Sequence, residues 1–280
     1  MISIGSAHRR LKSARRRLRK LAVRMSRRPK VPVFVVGCQR SGTTMLLKAL
    51  SQAPECRVFH ENDPAAFDAR WRLRGDDTIR RLIEETPEPV LVFKPLLDSQ
   101  YTSHLLTLHH NARAIWPYRH YRDMVGSGVE KWGGSLRDAM WGIASDTYRA
   151  PAQPVMLEKM SGETVELLRS LCGGQEPSAE DGALLHWYVR NVLYFDVCRD
   201  PRVMLVKYED LVQQPAVHFP RIFEFIGARF FPEYASFIHT KSVRKHDLPR
   251  FDPKIEETCE SLLRSLDALS AGNGRMEHDR

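Results

Sequence analysis

Apolar residues in this chain gather into short continuous runs separated by stretches of helical spacing. Residues 31–36, a run of Val and Phe with one proline, predict a buried strand, and the glycines at 37 and 42 break it. From Thr43 the apolar positions Met45, Leu46, Leu47, Ala49 and Leu50 follow a helical period that ends near Pro54. Further buried strands are expected at 90–93, 112–118 and 203–207, with helical spacing at 101–109, 122–131, 179–198 and 216–226. Strands alternating with helices predict an α/β fold of three layers, a central parallel sheet covered by helices on both faces. With neither an internal repeat nor a long linker, residues 31–270 read as one domain. Residues 1–30 form a separate tail, and 271–280 are expected to be a disordered C-terminus.

Composition changes this picture at one end. Over 280 residues, 43 Lys and Arg face 34 Asp and Glu, a formal charge of +9, which suggests an anionic partner. Residues 1–30 hold 12 of the basic residues and no acids, leaving 31 basic against 34 acidic in the remainder. The surplus belongs to the tail. There, Leu11, Ala14, Leu18, Leu21, Ala22 and Met25 recur at steps of three and four, so a helix would carry a narrow apolar stripe in a basic surround. Two readings stay open: peripheral contact of residues 9–28 with an anionic membrane, or a solvated, partly disordered arm. No run of apolar residues is long enough to span a bilayer, and the tail lacks the apolar centre of a secretory signal. Five scattered cysteines without a C-x-x-C pair predict reduced thiols, a cytoplasm-like compartment and no metal site. The folded part is slightly acidic and has no nucleic-acid recognition motif, so no specific nucleic acid is expected.

The junction of the first strand and first helix reads Gly37-Cys-Gln-Arg-Ser-Gly-Thr-Thr44. Its G-x-x-x-x-G spacing between strand and helix is that of a phosphate-binding P-loop, in which backbone N–H groups form an anion nest at the positive end of a helix. The Walker lysine is replaced by Thr43, which argues against ATP hydrolysis, and the fixed cation lies inside the loop at Arg40. A second signal follows the strand at 112–118: Arg119 stands at its carboxyl end and Ser127 on the next helix, a planar fork and a small donor suited to a second phosphate.

Together these segments resemble the sulfotransferase family, whose donor is 3′-phosphoadenosine 5′-phosphosulfate (PAPS). In that family an [RK]-x-G-T-[TS] loop holds the 5′-phosphosulfate and an Arg-x₇-Ser segment holds the 3′-phosphate. Arg40-Ser41-Gly42-Thr43-Thr44 and Arg119 to Ser127 match both, and Tyr208-Glu-Asp-Leu211 is similar to a third motif. The resemblance covers roughly residues 31–227 and implies PAPS as co-substrate, no metal, and sulfuryl transfer to a hydroxyl or amine.

Such a transfer needs in-line positioning, neutralisation of the leaving phosphate and a base for the acceptor proton. The family's His-type base is absent after Lys94. Glu61, twenty-one residues after Arg40, is similar in placement to the Glu base of Golgi and tyrosyl-protein sulfotransferases, and its neighbour His60 is the second candidate. On this reading Arg40 stabilises the leaving phosphate and Lys94 reaches the acceptor or the bridging oxygen. Ser41, Gly42, Thr43 and Thr44 hold the 5′-phosphate, Arg119, Ser127 and Lys131 the 3′-phosphate, and Tyr208 contacts the donor. Ser242, Arg244 and Lys245 lie where the family often closes a basic loop over the nucleotide. Residues 133–176, rich in Gly and Pro, are expected to form a lid or an acceptor-facing surface. The acceptor class stays open among carbohydrates, lipids, small alcohols and peptidyl tyrosine. The alternative activity is a P-loop small-molecule kinase with a degenerate Walker loop.

Overall fold

A computed structural model describes residues 28–147, 155, 158–239 and 250–273. Five strands, β1 (Val31–Val35), β2 (Cys56–Phe59), β3 (Val90–Phe93), β4 (Arg113–Tyr118) and β5 (Val203–Lys207), form one sheet. Their order is β2-β3-β1-β4-β5, and every neighbouring pair is parallel. The chain leaves β1 towards one edge and later returns to its other side at β4. This reversal opens a crevice beyond the carboxyl ends of the central strands.

Alternation along each strand assigns its side chains to two cores. Phe34 of β1 faces one layer with Leu91, Phe93, Ala114 and Trp116, whereas Val33 and Val35 face the other with Val90, Val92 and Ile115. On the first face the rings of Phe34 and Phe93 stack with centroids 5.5 Å apart, and Phe93 stacks on Phe59 at 4.8 Å, an aromatic ladder across β1, β3 and β2.

Helix α1 (Thr43–Leu50) buries Leu46, Leu47, Ala49 and Leu50 against the second face, as its spacing predicts. Helices α2 (Asp76–Glu85) and α3 (Thr102–Leu105) and their connections lead to β4, followed by α4 (Tyr121–Trp132), α5 (Ser135–Ala144), α6 (Gly162–Cys172) and α7 (Ala179–Val192). After β5 come α8 (Tyr208–Gln213), α9 (Pro215–Phe225) and α10 (Pro253–Asn273). Helix α9 covers the second face through Phe219, Ile222 and Phe223, and α7 and α10 cover the first.

Several expectations are corrected here. The helix expected at 101–109 is a 3₁₀ turn at Leu96–Tyr101 followed by the four residues of α3. The one expected at 179–198 stops at Val192 and tightens into a 3₁₀ turn at Leu193–Asp196. Within 133–176, the Gly- and Pro-rich segment expected to form a lid or an acceptor-facing surface, α5 buries Ala139, Met140 and Ile143 on one face, and α6 begins where the Ser161 hydroxyl accepts the Thr164 N–H. Its glycines at 133 and 173 end helices, with φ of 55° and 57°. At the opposite boundary Lys30 is tied to the domain, its ammonium donating to Glu88 O at 3.2 Å and its carbonyl accepting from Asn111 Nδ2 at 3.3 Å. Residues 1–27 of the basic tail, Ser242, Arg244 and Lys245, and the last residues of the expected disordered C-terminus lie outside the described residues. No helix among the described residues is long and apolar enough to cross a membrane.

Candidate active site

Three features meet beyond the carboxyl ends of β1, β2, β3 and β4. The first is the loop that follows β1. Gly37 and Gly42 take φ of 105° and 81°, and each is closely approached by an aromatic ring. A Cβ on Gly37 would stand 3.0 Å from Trp116 Nε1, and one on Gly42 would stand 2.2 Å from Tyr208 Cδ2, inside any permitted contact. Tyr208 thus forms the wall against which the loop turns. Ser99 secures the loop's start, its hydroxyl accepting the Gly37 N–H at 2.8 Å. Arg40 also lies in the left-handed region, at φ 64°, a conformation that costs a non-glycine residue about 1–2 kcal/mol.

The contacts of Arg40 account for that backbone. Its guanidinium donates twice to Ser127 Oγ, from Nε at 2.9 Å and Nη2 at 2.7 Å. Its carbonyl accepts from Arg119 Nη1 at 3.3 Å. The Arg119 guanidinium lies 4.6 Å over the Tyr208 ring and 3.6 Å from Asp123, one turn along α4. Arg40 and Arg119 are therefore held side by side. Burial, and secondarily the nearness of Arg119, lowers the Arg40 pKa from its ordinary value, with Glu130 opposing. A buried and a half-buried cation facing one cleft make an anion-attracting place.

The third feature follows from strand register. Glu61 comes just after β2 and Lys94 just after β3, and these strands are parallel neighbours with Phe59 opposite Phe93. The chain therefore leaves both strands at neighbouring points, with Glu61 two residues past Phe59 and Lys94 one past Phe93. Lys94 Nζ lies 2.9 Å from Glu61 Oε2 and 3.4 Å from Thr44 Oγ1, joining the carboxylate to the first turn of α1. Lys94 is buried, so it is no edge lysine in solvent.

All three features open on one cavity of about 1640 Å³. Arg40, Gly42, Thr43, Thr44, Glu61, Lys94, Arg119, Ser127, Lys131 and Tyr208 line it, as does the second base candidate, His60. Ser41 stands apart: its side chain is fully buried and absent from the cavity wall, so only its backbone belongs to the loop. Glu209 and Asp210 fall in the first turn of α8, where their charge favours the helix N-terminus, and Glu209 accepts the His120 N–H at 3.1 Å. Trp116 and Trp187 are core residues, and the Trp187 indole N–H donates to Arg119 O at 2.8 Å. Burial pushes the Cys38 thiol up to about 12, which makes this loop cysteine inert.

Sequence reading missed other wall residues. Trp132, at the end of α4, has its ring centroid 5.9 Å from the Arg40 guanidinium carbon. Gln39 lies inside the motif yet carries no motif position, and His186 of α7 approaches it from a distant part of the chain. Arg72 joins Asp98 and Glu158 at the cavity rim. None of these has a spacing signal; a polar residue inside the loop motif was the sole hint, and it pointed to Gln39 alone.

Residues 32–88, spanning β1, the loop, α1, β2 and α2, match the sequence profile of the Sulfotransferase family. No curated protein sequence matches the chain. Among solved structures, the sulfotransferase domain from the curacin biosynthetic pathway is 16% identical, with 85% of this chain and 98% of that one covered at a TM-score of 0.50. A sulfotransferase from Alicyclobacillus acidocaldarius is 17% identical over 88% of this chain and 96% of that one, at a TM-score of 0.44. Mouse SULT7A1, solved in complex with PAP, is 13% identical over 91% of this chain and 93% of that one, at 0.45. At such identities the likeness is one of fold, and it rests on the first of the three. The chain is thus similar to the Sulfotransferase family profile over the segment that carries the phosphate loop, and it shares the α/β fold of a solved sulfotransferase domain.

Proposed function

We propose that the protein transfers the sulfuryl group of PAPS to a hydroxyl or amine, with Glu61 as the general base and Arg40 stabilising the leaving phosphate. The observation that carries this reading is the opening of the phosphate loop, the Arg40–Arg119–Ser127 cluster and the Glu61–Lys94 pair on one cavity. The donor has an anion at each end. The loop's N–H groups and the Thr43 and Thr44 hydroxyls suit the phosphosulfate end, and Arg119, Ser127 and Lys131 suit the 3′-phosphate.

In the reaction the acceptor oxygen or nitrogen forms a bond to sulfur while the bond from sulfur to the bridging phosphate oxygen breaks. The electron pair stays with 3′,5′-adenosine bisphosphate (PAP), and the acceptor proton passes to the Glu61 carboxylate. Lys94 holds that carboxylate by its ion pair and ties it to the start of α1, which fixes the base relative to the loop. Glu61 suits the role better than His60 because it is the member of the pair that is anchored.

Thermal-shift measurements with PAPS and PAP, followed by labelled sulfate transfer across carbohydrate, lipid, phenol and peptide acceptors, test the reading. Stabilisation by both nucleotides is expected, and its absence would remove the proposal. Glu61→Gln is expected to bind PAP as the native protein does and to lose 10²- to 10⁴-fold in transfer rate, roughly the worth of a positioned base. Near-native turnover in that variant would take the role of base away from Glu61.

A further inference from the structure

His186 is almost completely buried, at 1% exposure, yet it reaches the cavity wall. Its Nε2 lies 3.1 Å from Gln39 Oε1, while its Nδ1 is buried without a hydrogen-bond partner. Gln39 is the loop residue immediately before Arg40, and its side chain also lines the cavity.

The chemistry of this pair fixes the direction of its hydrogen bond. If the carboxamide were turned so that its N–H₂ faced the ring, Nε2 would accept, and the proton on Nδ1 would be a buried donor with no acceptor. With Nε2–H donating to Gln39 Oε1, Nδ1 keeps only a lone pair, and an unfilled acceptor is the less costly defect. The imidazole must also be neutral for this tautomer to persist. Arg190 stands one turn further along α7, fully buried and donating to Leu96 O and to Gln100 Oε1, and its charge opposes a proton on His186. The Gln39 oxygen is then satisfied from behind by the protein. Its N–H₂ group, the only part of the carboxamide left to donate, belongs to the cavity side.

We infer that Gln39, oriented by the buried His186 on α7, presents its carboxamide N–H₂ to a sulfuryl oxygen of the donor and so distinguishes PAPS from PAP. The inference rests on the sulfuryl-transfer reading above. The loop N–H groups and the two arginines are matched to phosphate, which both nucleotides carry. A neutral donor beside Arg40 is matched to the group that is transferred, because the sulfuryl oxygens keep their charge as sulfur moves from one oxygen to the other. Gln39 would touch the donor, and His186 is a positioning residue acting through it.

Calorimetric affinities for PAPS and PAP, measured without acceptor on the native chain and on Gln39→Leu, His186→Leu and His186→Gln, test this. Gln39→Leu and His186→Leu are expected to lose roughly tenfold in PAPS affinity while PAP affinity stays within about twofold. His186→Gln places an amide N–H where Nε2–H stood and is expected to restore the preference. Gln39→Leu, at the cavity wall, keeps the test valid if His186→Leu does not fold. Equal losses for PAPS and PAP, or no loss for either in Gln39→Leu, would overturn the inference. A native protein that binds neither nucleotide would instead remove the function on which the inference rests.

Discussion

Arg119 and Lys94 are each held by more than one neighbour, and that sets what a substitution does. Arg119 stacks on Tyr208, donates to the Arg40 carbonyl and faces Asp123. A lysine keeps the charge but has neither the planar fork nor the flat face, so Arg119→Lys is expected to weaken PAP binding by one to two orders of magnitude, about 1.5–3 kcal/mol. Titration calorimetry checks it, and native affinity in the variant would show that charge alone suffices. His186 gives a pH prediction whose sign follows from linkage. Burial first, and the charge of Arg190 second, lower its pKa to about 3 from an ordinary value of 6.5. Between those values the unfolded chain takes up a proton that the native state refuses. Stability is therefore fully present above pH 6.5 and declines as pH falls towards 3. From pH 7 to pH 5 the native chain is expected to lose about 2 kcal/mol more than His186→Gln. Urea unfolding of both proteins at the two pH values measures the difference, in which His109, His120 and His218, also lowered by burial, cancel.

Elements meet the site through the connections between them. The loop after β1 is shaped from outside by Trp116 of β4 and Tyr208 of α8, which leave no room for a side chain at Gly42. Gly42→Ala adds a left-handed alanine to a 2.2 Å clash, so a loss of about 2–4 kcal/mol in stability and of PAP binding is expected, read as a lower melting temperature without nucleotide stabilisation. An unchanged melting temperature would mean that Tyr208 gives way freely. At this scale much was legible from sequence: continuous apolar runs foretold β1, β3, β4 and β5, and the helical period foretold α1, α4 and α9. β2 escaped because it is short and has polar and basic residues beside its apolar ones, and α2 because only Ile79 and Ile83 of its ten residues are buried. Helices α5 and α6 were masked by the glycines and prolines around them, which act as their punctuation.

At the largest scale the described residues pack as two cores on one sheet, and the cysteines report on that burial. Cys38, Cys56, Cys172 and Cys259 are buried and Cys198 is partly exposed. Burial raises the thiols of Cys38, Cys56 and Cys259, and raises Cys172 to about 11. A thiol reagent at pH 8 is expected to modify Cys198 in the native protein and all five after unfolding. Rapid native modification of Cys38 would contradict the closed packing of the loop. The phosphate loop could be read from local order because a strand, a tight turn and a helix form a continuous chemical unit, whereas Glu61 and the role of the Arg119–Ser127 segment were expectations taken from the family resemblance. How those units face one another could not be read in either way. That Glu61 meets Lys94 depends on β2 and β3 being parallel neighbours, and that Arg40 reaches Ser127 depends on β4 lying beside β1. The pairing of His186 with Gln39 spans 147 residues. Local composition fixes what each segment can bind, but sheet order and helix docking bring distant segments within a few ångströms, and only packing of the complete chain sets those distances.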